Sequence, residues 1–131
     1  MAVGLGNLGP TMIASWICGE ATTNYAYYNN ANTYLGVGDS TTSYANSQTD
    51  LQASSNKTRK GMDSGYPSRS GSVITYRSTF ATSDANYAWN EVGIFNAASG
   101  GQMLTRDVPA VSLGTKPNTQ SWQLTVTLTL S

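Results

Sequence analysis

Histidine is absent from this sequence, although the chain has 131 residues. Histidine is the commonest general base in hydrolases, and it is also the usual zinc ligand in proteins. Its absence excludes histidine-dependent hydrolases and histidine-based metal sites. Chemistry that needs only a pair of carboxylates, such as glycoside hydrolysis, is still open on this evidence.

Charged residues are also scarce. They make up 11% of the chain, against roughly 25% in typical soluble proteins. Seven acidic and seven basic side chains cancel, so no long-range field steers the chain towards nucleic acid or an anionic membrane. We therefore predict neither partner. A net charge of zero also provides little repulsion between copies, so self-association is permitted.

Cysteine and long apolar segments are similarly limited. Cys18 is the single cysteine, which excludes an intrachain disulfide and a cysteine-based zinc cluster. The longest apolar segment, around Met12 to Cys18, is far shorter than the ~20 residues that span a bilayer. No basic region precedes it, as one would in a signal peptide. We expect no membrane span, no secretion signal and no cofactor.

The length and the 39% hydrophobic content favour one domain over residues 1–131. Residues 1–7 are small and apolar without periodicity, and we interpret them as an N-terminal arm. Residues 8–19 predict a short helix, with Pro10 in its first turn and Gly19 just past its end. One face of this helix carries the large apolar residues Leu8, Met12, Ile13, Trp16 and Ile17.

The remainder, residues 33–130, has the pattern of a β domain. A short strand is predicted at residues 33–38, and residues 39–71 read as loop with at most short strands. Residues 72–80 and the last eleven residues alternate between apolar and polar side chains, which is typical of half-buried strands.

Between those two strands, residues 87–95 and 102–108 predict two strands joined by a glycine-containing hairpin loop. The combination predicts a mainly β fold: a single antiparallel β-sandwich or partly closed barrel with one short N-terminal helix.

The carboxylates give little support to catalysis. Five aspartates lie in turn-like or loop contexts, where aspartate is expected for its local hydrogen bonds: Asp39, Asp50, Asp63, Asp84 and Asp107. Glu91 differs, because it lies inside an apolar strand on the face opposite Val92 and Ile94. A buried carboxylate needs a cation, and Arg77 or Arg106 could supply it. We predict a structural ion pair and no catalytic residues.

Two segments are candidate contact surfaces between subunits. The first is the arm, with Ala2, Val3, Gly4, Leu5 and Gly6. The second is a loop rich in tyrosine and asparagine that contains Tyr25, Tyr27 and Tyr28. Such tyrosines suit either a sugar-binding surface or a protein contact, where tyrosine is enriched, and we favour the protein contact.

Three segments, in this order, resemble small bacteriophage virion structural proteins. They are a helix ending in WICGE, then YLGVGDSTTSYANSQTDL, then WNEVGIFNAASGGQMLTR. In that group the middle motif is a strand that enters a glycine- and aspartate-containing turn followed by a leucine, here Leu51. The third is a strand with Glu-x-Gly-Ile-Phe, here Glu91 to Phe95, that leads through a small-residue hairpin to Met-Leu-x-Arg, here Met103 to Arg106.

The resemblance implies a function as well as a fold. Such proteins are capsid decoration (cement) proteins or β domains of tail fibres and other tail components, commonly trimeric and without shared catalytic residues. The expectation is a homotrimeric decoration protein that bridges neighbouring major capsid subunits in a virion assembled in the bacterial cytoplasm. The alternative is a tail component, including a receptor- or glycan-binding module.

Overall fold

Strands dominate the computed structural model, which describes residues 2–3, 10–20 and 25–131. In chain order the elements are β1 (Ala2–Val3), α1 (Pro10–Ile17), β2 (Tyr34–Gly38), β3 (Lys57–Gly61), β4 (Ser68–Ser70), β5 (Val73–Phe80), β6 (Glu91–Phe95), β7 (Met103–Asp107) and β8 (Trp122–Thr129). The predicted mainly β fold with one short helix is confirmed. Within the described residues the strands form two separate sheets, as in a sandwich, and no closed barrel.

The first sheet, sheet I, has the strand order β1-β8-β5-β4. Its centre is the antiparallel pair of β5 and β8, which runs from Val73 opposite Thr129 to Phe80 opposite Trp122. These are the two strands whose alternation the sequence displays most clearly. The two residues of β1 pair with β8 in parallel.

The second sheet, sheet II, is antiparallel with the order β3-β2-β6-β7. Strands β6 and β7 form the predicted hairpin, with a register irregularity between Ile94 and Phe95. Residues 87–90 do not extend β6 as predicted. The main chain of Trp89 instead bonds with that of Leu113 and Gly114, so this segment pairs with the loop before β8.

The main core lies between the two sheets. Sheet II contributes Leu35, Val37, Val92 and Ile94, and sheet I contributes Tyr76, Phe80, Leu124, Val126 and Leu128. Trp89 closes one end of this core, where its ring packs edge-on against Phe80 and Trp122 with ring centroids 4.8 and 5.1 Å away. Such tilted aromatic pairs are favourable beyond the area they bury.

The outer face of sheet II is covered by residues 39–56, which we call the 39–56 loop. Its Leu51 is buried with Phe95 and Met103 in a second, smaller apolar cluster. The segment between residues 39 and 71 also contains β3 and β4, which agrees with the expectation of only short strands.

The helix is shorter than the predicted 8–19, because α1 covers Pro10–Ile17. Gly19 follows its end with φ of +72°, the left-handed conformation that glycine adopts readily. Leu8 and Gly9 lie outside the described residues. No helix in the described part of the chain has the length and hydropathy needed to cross a bilayer.

Candidate functional site

Glu91 and Arg106 form an ion pair beneath the 39–56 loop. Arg106 Nε donates to Glu91 Oε2 over 2.6 Å, and both side chains are fully buried. Glu91 begins β6 and Arg106 lies on the neighbouring β7, opposite Gly93. The predicted structural ion pair is present, and its cation is Arg106.

The same two side chains attach the loop to the sheet. The Glu91 carboxylate accepts hydrogen bonds from the main-chain N–H groups of Gln52 and Ala53, at 2.8 and 2.9 Å. Arg106 donates to the Thr42 carbonyl at 2.8 Å and to the Gln48 side chain at 3.1 Å. The pair therefore holds both ends of the loop. Because both Glu91 oxygens accept hydrogen bonds from Arg106 or from the main chain of the loop, this carboxylate has a structural role.

Arg77, the other candidate cation, is not the partner of Glu91. Its Nε donates to Asp63 Oδ2 over 3.0 Å, and its guanidinium lies 4.2 Å from the centroid of the Tyr66 ring. The reason is the orientation of the strands. Arg77 faces outward from sheet I, on the side opposite Tyr76, whereas Glu91 lies on the outer face of sheet II.

Most of the other carboxylates also have cationic or hydrogen-bond partners. Asp50 pairs with Lys57 and Arg59 at 3.0 and 3.2 Å, and Asp84 pairs with Lys60 at 2.7 Å. Burial raises the pKa of Asp50, but hydrogen bonds from Lys57, the Leu51 N–H and Arg59 outweigh it and leave the pKa below its ordinary value.

The pKa of Asp84 is likewise lowered, chiefly by its hydrogen bond from Lys60. Within the described residues no three histidine, cysteine, aspartate or glutamate side chains come together as metal ligands. Asp50, Asp63, Asp84 and Glu91 thus take part in ion pairs that connect parts of the fold.

These lowered pKa values predict a loss of stability in acid. As the pH falls through the ordinary aspartate value of 3.8, the unfolded chain takes up protons before the folded one does. The free energy of unfolding should therefore be highest above that value and decrease as the pH falls towards the folded pKa values. Urea unfolding across this range should show a smaller decrease for Asp50→Asn than for the parent. Asp107→Asn is the control, because Asp107 takes part in none of the five ion pairs found among the described residues.

An apolar cleft lies at the other end of the sandwich from Trp89, beside α1. Its volume is about 210 Å³, and its lining includes Trp16, Tyr27, Tyr28, Tyr76, Leu128 and Leu130. None of the described residues that line it is charged. Burial raises the pKa of Tyr76 to about 12, as expected for a phenol in this apolar setting.

The three predicted contact tyrosines lie at this end but differ in exposure. The Tyr28 hydroxyl donates to the Gln102 carbonyl at 2.8 Å, and burial, followed by a smaller contribution from Tyr76, raises its pKa well above 10.0. Tyr25 accepts a hydrogen bond from the Trp16 indole through its carbonyl. Tyr27 is 40% exposed and packs beside the Trp16 ring. Tyr27 is therefore the most exposed of the three tyrosines.

The predicted apolar face of the helix is only partly buried. Met12 is buried and Trp16 packs against Tyr28, whereas Ile13 is 41% and Ile17 is 80% exposed. Successive residues of a helix are turned by about 100°, so Ile13 and Ile17 form a second stripe beside that of Met12 and Trp16. The sequence shows the i, i+4 spacing of this stripe but not that the sandwich leaves it uncovered.

Leu130 was expected on the buried face of the last strand, but it is 38% exposed because β8 ends at Thr129. We call the exposed group of Ile13, Ile17, Tyr27 and Leu130 the α1 patch. Large exposed apolar side chains beside a cleft are typical of interaction sites.

Part of the predicted arm is docked on its own chain. Ala2 and Val3 form β1, in register with Thr127 and Leu128 of β8. Gly4, Leu5 and Gly6 lie outside the described residues. The main chain of Ala2 and Val3 thus extends sheet I.

Comparisons with protein-family models, curated proteins and solved structures find no match to this chain.

Proposed function

We propose that this chain is a non-enzymatic structural protein of a bacteriophage particle, a capsid decoration or cement protein that bridges neighbouring major capsid subunits. The proposal that the protein is not an enzyme rests on one observation. The ionisable side chains are largely engaged in internal structure, while an uncharged apolar surface is exposed at the α1 end. Such a chain acts by burying surface against other protein subunits.

The charges support this function because few are free to recognise a ligand. In the described part of the chain, five ion pairs engage Lys57, Arg59, Lys60, Arg77 and Arg106. Of the two remaining basic side chains, Lys116 is buried and donates to Asn86, and Arg69 donates to the Gly71 carbonyl. A partner of this protein is therefore recognised chiefly by shape, apolar contact and neutral hydrogen bonds.

The bacteriophage part of the proposal rests on the resemblance of the three sequence segments. Residues of the second and third segments lie together: Leu51, Glu91, Phe95, Met103 and Arg106 form the ion pair and the apolar cluster at the 39–56 loop, whereas the first segment is at the α1 end. The resemblance is thus one of folding pattern, and the step from it to a particle is an analogy of fold.

The location and copy number of the protein in purified particles test this proposal. Quantitative mass spectrometry should find hundreds of copies per particle, and imaging of particles that carry a labelled chain should place them on the shell. A few copies confined to the tail would instead support a tail component. Absence from particles would contradict both.

A further inference from the structure

Lys116 carries a buried amine that has no carboxylate partner. The residue is 1% exposed, and it takes part in none of the five ion pairs of the described residues. Its Nζ donates to two neutral oxygens, Asn86 Oδ1 at 2.8 Å and the Pro117 carbonyl at 3.4 Å. A buried ammonium costs free energy unless a counter-ion compensates it. The position of Lys116 therefore favours a reaction that removes its charge.

The surrounding chain holds Lys116 and Asn86 against each other. The Lys116 N–H donates to the Tyr87 carbonyl at 3.1 Å, and the adjoining residues of the two segments form an antiparallel β-bridge. The Asn86 amide is held as well, because its Nδ2 donates to the Thr82 carbonyl at 2.8 Å. Groups fixed in one geometry react with effective concentrations far above those reached in solution. The lysine nitrogen is thus kept beside the Asn86 amide carbon, to which Oδ1 is bonded.

We propose that Lys116 and Asn86 join covalently, through an isopeptide bond between their side chains. Once its ammonium has lost a proton to water, Lys116 Nζ forms a bond to Asn86 Cγ, and the bond between Cγ and Nδ2 breaks. Overall, two protons pass from the lysine nitrogen to the departing nitrogen, which leaves as ammonium. Asn86 is exposed, so water can carry the protons and the product can escape. Nothing is oxidised or reduced, and the chain loses one buried positive charge.

Asp84, two residues before Asn86, supplies an anion to this reaction. The hydrogen bond from Lys60 is the main reason that the pKa of Asp84 is lowered, and the charge of Lys116 contributes to the same shift. Asp84 and Lys116 are therefore within electrostatic reach of each other. When the amine adds to the carbonyl its nitrogen becomes positive, and a nearby ionised carboxylate stabilises that charge.

Mass spectrometry of the purified chain tests the proposal. After incubation for several days at neutral pH, the intact mass should be lower than that of the sequence by one ammonia molecule. Trypsin cleaves after arginine and lysine but not before proline, so residue 86 lies in the peptide 78–106 and residue 116 in the peptide 107–131. Tandem spectra should show these two peptides joined through Lys116 and Asn86. An asparagine that had cyclised on itself would also lose ammonia but would leave the peptides separate.

Two pairs of variants identify the reacting groups. Asn86→Ala removes the amide carbon and should keep the peptides separate, whereas Asn118→Ala, at an exposed asparagine two residues from Lys116, should still give the joined pair. Asp84→Asn should slow the joining by at least about 10-fold. Lys60→Met breaks the same ion pair but keeps the carboxylate, so it should not slow the joining to this extent.

A parent chain that keeps the full mass of its sequence, with the two peptides separate after incubation, would overturn the inference. That result needs no variant, so it holds even where a variant fails to fold. Joined peptides that persist in Asn86→Ala would overturn it as well, because another residue would then be the partner of Lys116. The inference does not depend on the proposed function, since the bond forms within a single chain.

Discussion

Replacing Arg106 by leucine is expected to lower the free energy of unfolding by about 3–5 kcal/mol, because the Glu91 carboxylate would stay buried without its cation. The substitution also removes the donors to the Thr42 carbonyl and the Gln48 side chain. Urea or guanidinium unfolding would measure the loss. Limited proteolysis should show faster cleavage within the 39–56 loop, since one of its two attachments is gone.

Arg69→Leu is the matched control for that experiment. Arg69 lies exposed on β4 and belongs to none of the five ion pairs, so the same substitution there should change the stability by less than about 0.5 kcal/mol. Adding Glu91→Gln to Arg106→Leu should recover part of the loss, because the buried group is then uncharged. Equal losses for the two arginines, or no gain from Glu91→Gln, would contradict a buried ion pair as the main attachment of the loop.

The ion pair of Glu91 was predictable from the sequence only in part. Glu91 stands in a strand with apolar neighbours, so the need for a cation followed from its position. The choice between Arg77 and Arg106 did not, because both arginines lie on strands. It depends on which outer face each one occupies, and that is set by how the two sheets stack.

The cover formed by the 39–56 loop was harder to predict. The segment has no periodic pattern, and Leu51 is its single large aliphatic residue, so the sequence predicts a loop. Most of the loop is indeed exposed, but Leu51 and Ala53 are buried. Their burial depends on contacts with residues about 40 positions later, where Gln52 and Ala53 donate main-chain hydrogen bonds to Glu91. Periodicity reports only local structure, and these contacts leave no local signal. By contrast, β5 and β8 were predictable because each strand alternates along its own length.

The α1 patch shows a further limit of what the sequence can predict. The apolar spacing of the helix correctly indicated an amphipathic element, but an apolar stripe does not state which neighbour covers it. Met12 is buried, whereas Ile17 extends beyond the sandwich.

Two glycines of sheet II leave room for the Phe95 ring, so adding a side chain there should destabilise the fold. Gly36 and Gly93 lie directly opposite each other on β2 and β6, and the Phe95 ring covers both. A Cβ added at Gly93 would lie 2.8 Å from Phe95 Cε2 and 3.2 Å from Leu51 Cδ2. The Arg59 guanidinium also lies over this ring, 3.6 Å from the ring centroid. The ring therefore has little room to move away.

Gly93→Ala should consequently lower the free energy of unfolding by about 1–3 kcal/mol through overpacking. The sign is informative. Gly93 has no positive φ, so if space were available, alanine would stabilise the strand by roughly 0.5–1 kcal/mol through its smaller entropy loss on folding. Chemical denaturation of the variant thus separates close packing from chain entropy by direction as well as by size.

A double-mutant cycle with Phe95→Leu identifies the ring as the cause. If the clash is with Phe95, adding Gly93→Ala to Phe95→Leu should cost much less than adding it to the parent, with a coupling energy of at least about 0.5 kcal/mol. Gly61→Ala in β3 is the control, because its Cβ would meet Tyr34 at 3.7 Å, an ordinary contact. A Gly93→Ala variant as stable as Gly61→Ala, or effects that simply add, would mean that the ring yields. In that case the glycine pair would not be what seats Phe95 beneath the 39–56 loop.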